Sequence, residues 1–147
     1  MDDIDRAVIR HLQEDGRRPY TEIAQSLGIS EATVRNRVNK LITAGALRIV
    51  GIADPYRLGF SAPAVIGVIL DPGQTEKAAQ EIRGLEEVSY LVRSAGSFDL
   101  LVEVFCRDQD HLIALLEKLQ AVPGMRRTET FIILKTYKLS YLWQSAS

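Results

Sequence analysis

Apolar positions in the first fifty residues recur at helical spacing. Ile4, Val8, Ile9 and Leu12 fall on one face, which predicts an amphipathic helix over residues 2–14. Asp2, Asp3 and Asp5 lie in its first turn, where the positive end of the helix dipole favours carboxylates, and Asp15 with Gly16 stops it. A second helix begins at Thr21 and turns Ile23, Ala24 and Leu27 inward. Gly28 supplies a left-handed turn, and Ser30 caps a third helix whose buried stripe is Val34, Val38, Leu41 and Ile42. Gly45 ends that helix. Two helices joined through a tight glycine turn are a helix-turn-helix. Residues 46–53 then read as a short strand or wing.

Beyond residue 53 the pattern changes. Pro55, Gly59 and Pro63 break local structure, so residues 54–62 read as a linker. Ala64 to Leu70 is β-branched and nearly continuous in apolar residues, as a central strand is. A helix over 75–84 follows, through Ala78, Ala79 and Ile82. Strands are expected over Val88–Ser94 and Phe98–Cys106. A helix through Leu112, Leu115, Leu116 and Leu119 comes next, with Asp108 and Asp110 as its caps. A last strand runs from Met125 to Thr136, with Thr128, Thr130, Ile132 and Leu134 on one face. The order β-α-β-β-α-β is the split βαβ, or ferredoxin-like, motif. The expected class is therefore α+β: a winged helix-turn-helix over 1–53, a linker over 54–62, and a βαββαβ domain over 63–147.

Composition narrows the setting. No apolar run approaches the roughly 18 residues of a membrane helix. The start Met1-Asp2-Asp3-Ile4-Asp5 is acidic where a signal peptide is basic, so a cytoplasmic location is expected. One cysteine, Cys106, excludes an internal disulfide and reads as a buried structural thiol. Formal net charge is −1. Residues 1–53 carry eight Lys/Arg against seven Asp/Glu, and the remainder ten against twelve. A nucleic-acid partner must therefore meet a local basic patch rather than a basic surface. His11 and His111 have no Cys or clustered carboxylates near them in sequence, so no metal site is expected. No Ser-His-Asp, P-loop or GxGxxG pattern suggests a catalytic residue or a cofactor. Trp143 reads as a packing or dimer contact.

On the third helix, Val34, Val38 and Leu41 point inward. A rotation of about 100° per residue then places Ala32, Asn36, Asn39 and Lys40 on the opposite face, with Thr33 and Arg35 flanking it. Such helices enter the major groove of duplex DNA N-terminus first. Asn pairs bidentately with adenine, Arg with guanine, and the methyls of Ala or Thr pack on thymine. Arg37, Lys40 and Arg48 are candidates for phosphate contacts, as is the backbone N–H of Ser30. The bland alternative is that these residues solvate one helix face.

In the second domain, helices cover one face of the sheet and leave an apolar or weakly polar face open. That predicts a homodimer. A two-fold dimer reads two half-sites spaced by roughly 34 Å or a multiple, which also offsets the weak hold of a single short helix. The turn from Ser94 to Asp99 is the other candidate site. Free backbone N–H groups around Gly96 suit a carboxylate, and Asp99 suits an α-amino group, so a zwitterionic amino acid satisfies both. The alternative is a plain hairpin turn in which Asp99 accepts backbone bonds.

Taken together these residues resemble the leucine-responsive regulatory protein (Lrp/AsnC, feast/famine) family over nearly the full chain. The resemblance is carried by Ile4-Asp5, Val8-Ile9, Leu12-Gln13, Asp15-Gly16-Arg17, Ile23-Ala24 and Leu27-Gly28-Ile29-Ser30. Val34, Arg37-Val38, Leu41 and Gly45 continue it, followed by Leu58-Gly59-Phe60, Gly96 with Phe98-Asp99, and Pro123-Gly124-Met125 with Thr128 and Thr130. It implies a winged helix-turn-helix joined to a ligand-sensing domain. It further implies dimers that assemble to tetramers or octamers, and promoter binding tuned by a small molecule, usually an amino acid. By resemblance the effector lies between dimers near Gly96, Ser97, Phe98 and Asp99, with Met125, Thr128 and Thr130 as walls. Phe98 stands where tyrosine is frequent in the family, which removes a ring hydroxyl. Ala46-Leu47 replaces the usual β-branched pair. Two other readings share the architecture: a sirohaem-decarboxylase-like enzyme, which needs more histidines and a basic pocket, and an effector-independent architectural DNA-binding protein.

Overall fold

The computed structural model describes residues 1–143, and the last four residues of the expected second domain, 144–147, lie outside the described residues. The chain forms two compact units. One comprises Met1–Ile52 together with Lys138–Trp143, and the other Ala53–Tyr137.

In the first unit, α1 spans Asp3–Glu14, α2 Tyr20–Leu27 and α3 Glu31–Thr43. A reciprocal capping box opens α1. The Asp2 carboxylate accepts from the Asp5 N–H, and the Asp5 carboxylate from the Asp2 N–H, both at 2.9 Å. Pro19 stands at the N-cap of α2, where its missing N–H costs nothing. Gly28 ends α2 at φ 65°, a conformation that penalises any Cβ. Ser30 then caps α3 by accepting the Thr33 N–H at 3.1 Å. Val8, Leu12, Ile23, Ala24, Val34, Val38, Leu41 and Leu47 make the core between the three helices.

Two expectations fail here. Ile42 is 45% exposed rather than part of the buried stripe. Instead Leu47 folds back, its N–H donating to the Leu41 carbonyl, and covers the end of the core. Nor do residues 46–53 form a strand or wing. A strand needs a neighbour for its N–H and C=O groups, and this unit is otherwise helical. Ile49, Val50 and Ile52 are left exposed.

The second unit is a four-stranded antiparallel sheet with two helices on one face. Its elements are β1 Ala62–Leu70, α4 Thr75–Ile82, β2 Val88–Arg93, β3 Leu100–Cys106, α5 Gln109–Gln120 and β4 Met125–Ile132. Strand order is β2-β3-β1-β4, so the expected βαββαβ order is present. Ala64, Ile66, Val68 and Leu70 of β1 and Leu100, Val102, Val104 and Cys106 of β3 point to the helices. There they pack with Ala78, Ile82, Leu112, Leu115 and Leu119. Cys106 is fully buried, and burial raises its thiol pKa. Asp108 caps α5, accepting the His111 N–H at 2.8 Å. The last strand ends at Ile132, four residues before the expected Thr136, because its pairing with β1 ends at Ala64. Past it, Lys138–Trp143 groups with the helical unit rather than with the sheet, and Trp143 is 77% exposed.

Candidate nucleic-acid interface and effector turn

Helix α3 is gripped from one side only. With Val34 and Val38 fully buried, Ala32, Arg35, Asn36, Asn39 and Lys40 stand exposed on the other, and Arg48 is exposed beyond the helix. Six of the nine residues expected to face DNA are therefore exposed. Ser30 and Thr33 serve partly as the cap, their hydroxyls 2.8 Å apart. Arg35 donates to the Glu31 carboxylate at 2.6 Å and lies over the Tyr20 ring, 5.5 Å from its centroid.

Arg37 departs from its expected role. Its guanidinium donates to both Asp2 and Asp5, the latter at 3.2 Å, and joins α3 to the capping box of α1. Donating to the Asp2 and Asp5 carboxylates raises the Arg37 pKa, and accepting from the Asp5 backbone N–H and from Arg37 lowers that of Asp2. A phosphate reaching this guanidinium has to compete with two carboxylates. Here Arg37 ties α3 to the start of α1, a different use of the side chain from the expected phosphate contact.

The turn between β2 and β3 is pinned to β1. The Asp99 N–H donates to the Val68 carbonyl at 2.8 Å, and the Asp99 carboxylate accepts the Leu70 N–H at 2.8 Å. Within the chain Asp99 therefore does what the plain-turn alternative requires, through one of its two oxygens. The Gly96 N–H donates to Ser94 Oγ at 3.2 Å. Those of Ala95, Ser97 and Phe98 have no partner among the described residues. Gly96 is exposed, and a Cβ there would meet only Ser94 Oγ at 3.6 Å.

The close approach that favours glycine is instead at Gly67. A Cβ on that residue would lie 2.6 Å from Phe98 Cδ1. The Phe98 ring rests on the bare backbone of β1, on the sheet face away from the helices, edge-to-face with Phe131 at 6.1 Å between centroids. Sequence reading passed over Gly67, although a glycine inside a β-branched strand is the usual mark of such a close approach. Thr128 and Thr130 pair with Val68 and Ile66 and so share the helix-covered face. In one chain they stand on the side of the sheet opposite Phe98, and the expected walls do not converge on the turn. Met125 is half-buried against the core. It lines, with Thr128, Gln120, Arg126 and Arg127, an open hollow of about 340 Å³.

Both histidines have local partners. His11 Nδ1 faces the Arg18 guanidinium. His111 Nδ1 accepts the Arg107 N–H at 3.1 Å, so the ring proton lies on Nε2, which donates to Glu87 at 3.0 Å. Lys118 donates to the same carboxylate oxygen at 3.1 Å. Burial alone would raise the Glu87 pKa, but these bonds and its own backbone N–H outweigh burial and pull it from 4.5 to about 2. Among the described residues no group of three His, Cys, Asp or Glu side chains is placed to hold a metal ion. No helix among them is long and apolar enough to cross a membrane.

Known proteins share this arrangement from end to end. Residues 1–42 match the AsnC-type helix-turn-helix domain, and residues 63–143 the Lrp/AsnC ligand binding domain. An HTH-type transcriptional regulator of Pyrococcus abyssi is 37% identical over 143 residues, covering 96% of this chain and 90% of that protein. The regulatory protein AsnC of Escherichia coli is 30% identical over 138 residues, covering 92% and 91%. A solved structure of E. coli AsnC superposes with a TM-score of 0.88 at 29% identity, over 97% of each chain. A Ser30-capped helix presented on a three-helix core, a four-stranded βαββαβ unit beside it in the chain, and matches spanning both place the protein in the Lrp/AsnC family of helix-turn-helix transcriptional regulators.

Proposed function

We propose that this regulator reads specific sequences of duplex DNA with α3, works as a homodimer or a higher assembly of dimers, and has its DNA binding tuned by an amino acid held at the Gly96–Asp99 turn. The observation carrying the DNA reading is the one-sided grip on α3. Its inner stripe is sealed, while Ala32, Asn36, Asn39 and Lys40, with Arg35 beside them, are presented to solvent. Asparagine amides and an arginine fork match adenine and guanine edges. Lys40 and Arg48 supply cations for phosphates. The functional division follows the sequence: residues 1–53 bind DNA, 54–62 connect, and the chain from 63 senses the effector and assembles.

Dimerisation is supported by the helix-free face of the sheet. Phe131 and Tyr90 are 46% and 61% exposed there, beside half-buried Leu101 and Phe105, and water is a poor permanent neighbour for them. The effector reading rests on three unpartnered N–H groups beside a carboxylate that keeps one oxygen free. Because Thr128 and Thr130 face away from that turn, the completed pocket takes its walls from a second chain. Regulation is then linkage: an effector that favours one assembly shifts the population competent for DNA. The setting is cytoplasmic.

Light scattering, and gel shifts at low salt on the DNA upstream of the gene, test the first two parts. A monomer in solution, or equal affinity for upstream and scrambled DNA, overturns them. A thermal-shift screen of the twenty amino acids tests the third, since a ligand at about 100 times its Kd stabilises by about 2.7 kcal/mol. No shift with any amino acid overturns it.

A further inference from the structure

The surface of α3 carries one acidic side chain, Glu31, at its first residue. The Glu31 carboxylate takes the Arg35 guanidinium at 2.6 Å, while Tyr20 at the start of α2 lies under the same guanidinium. Arg35 is thereby folded back toward the N-terminus of its own helix, with its side chain still 57% exposed and that of Glu31 44% exposed. Ser30 already caps the helix, so capping does not require Glu31. An exposed pair one turn apart adds little to folding. A carboxylate on a helix facing phosphates opposes binding to every duplex, whatever its sequence.

We propose that Glu31 is a specificity-determining residue, which withholds Arg35 from phosphates of non-cognate DNA and releases it to a guanine. This rests on the reading that α3 enters the major groove. On a random duplex Arg35 gains a single phosphate contact and gives up both the Glu31 carboxylate and the Tyr20 ring. At guanine it gains two bonds at once, to N7 and O6. Glu31 lowers affinity for all sequences but least for those that supply the bidentate partner. Specificity is that difference.

Full-length protein is titrated by fluorescence anisotropy against the duplex it selects best from a random pool and against a scrambled duplex. Salt runs from roughly 50 to 200 mM. Glu31→Gln keeps the size of the side chain and removes its charge. It is compared with Arg35→Ala and with the double variant. On the scrambled duplex, Glu31→Gln binds tighter and its salt dependence steepens by about 0.9, one phosphate contact, an extra loss of about 3.5-fold across that range. Its preference for the selected duplex narrows. In the Arg35→Ala background the same change leaves the salt slope alone. The proposal is overturned if Glu31→Gln alters neither slope nor preference, or if its gain is the same without Arg35, since Glu31 then acts by its own charge alone. A wild type that binds no duplex overturns the groove reading, and the proposal with it, whereas failure of the variants alone overturns only the proposal.

Discussion

Gly67→Ala is the sharpest probe of the sheet face on which the Phe98 ring lies. The added methyl lies 2.6–2.7 Å from three ring atoms of Phe98, Cγ, Cδ1 and Cε1. Phe131, edge-on at 6.1 Å, stands beside that ring. Overpacking of this kind costs about 1–3 kcal/mol. Replacing a strand glycine by alanine returns about 0.5–1 kcal/mol of backbone entropy. The single variant is therefore destabilised by anything from near zero to about 2.5 kcal/mol, and its sign alone decides little. The double-mutant cycle decides. In a Phe98→Ala background the steric cost vanishes while the entropy gain stays, so Gly67→Ala becomes stabilising. The coupling between the two sites is about 1–3 kcal/mol, within the range found for touching residues. Urea denaturation of the four proteins, followed by far-UV circular dichroism, measures it. Equal effects of Gly67→Ala with and without Phe98 would refute the stacking of that ring on β1.

Three further outcomes are expected. Arg37→Ala lowers the melting temperature of the helical unit and leaves the salt slope of DNA binding unchanged; a slope shallower by about 0.9 would return Arg37 to the phosphates. Asp99→Asn keeps an oxygen for the Leu70 N–H, so the fold persists, but it loses the charge for an α-amino group. Any thermal shift given by an amino acid should disappear, and a retained shift removes Asp99 from the effector site. The third concerns acid. The Glu87 carboxyl titrates near 2 in the fold and near its ordinary value of 4.5 when unfolded, so the unfolded chain binds the proton first. Its contribution is complete above about pH 4.5 and is lost as pH falls toward 2, amounting to about 3 kcal/mol. The stability difference between wild type and Glu87→Gln should therefore shrink across that window; parallel pH profiles would contradict it.

Much of the architecture was legible because its signals are local. Asp2, Gly28 and Ser30 act on backbone within a few residues of themselves, and the continuous apolar run of β1 marks a central strand. What escaped is set by chain segments far apart in sequence. Nothing near Arg37 announces that its carboxylates sit some thirty residues upstream on α1. Nothing near Phe98 announces that its ring rests on Gly67. Residues 46–53 carry a strand-like pattern, yet pattern alone supplies no neighbour for the backbone, and the expected wing is absent. Ile42 continues the periodicity of α3 past the point where the core ends, because Leu47 closes it. The outward-facing residues of α3 were readable from three inward positions and the helix pitch. Those around the turn were not, since Thr128 and Thr130 differ from Phe98 in which side of the sheet they take.

The central claim is that α3 reads base edges through its outer face. The measurement that meets it most directly is the affinity of wild type and Asn36→Ala for the upstream duplex and for the same duplex scrambled, at one salt concentration. The account predicts a wild-type preference that Asn36→Ala reduces by about 1–3 kcal/mol while its affinity for scrambled DNA stays put. Equal losses on both duplexes, or no loss on either, would contradict it.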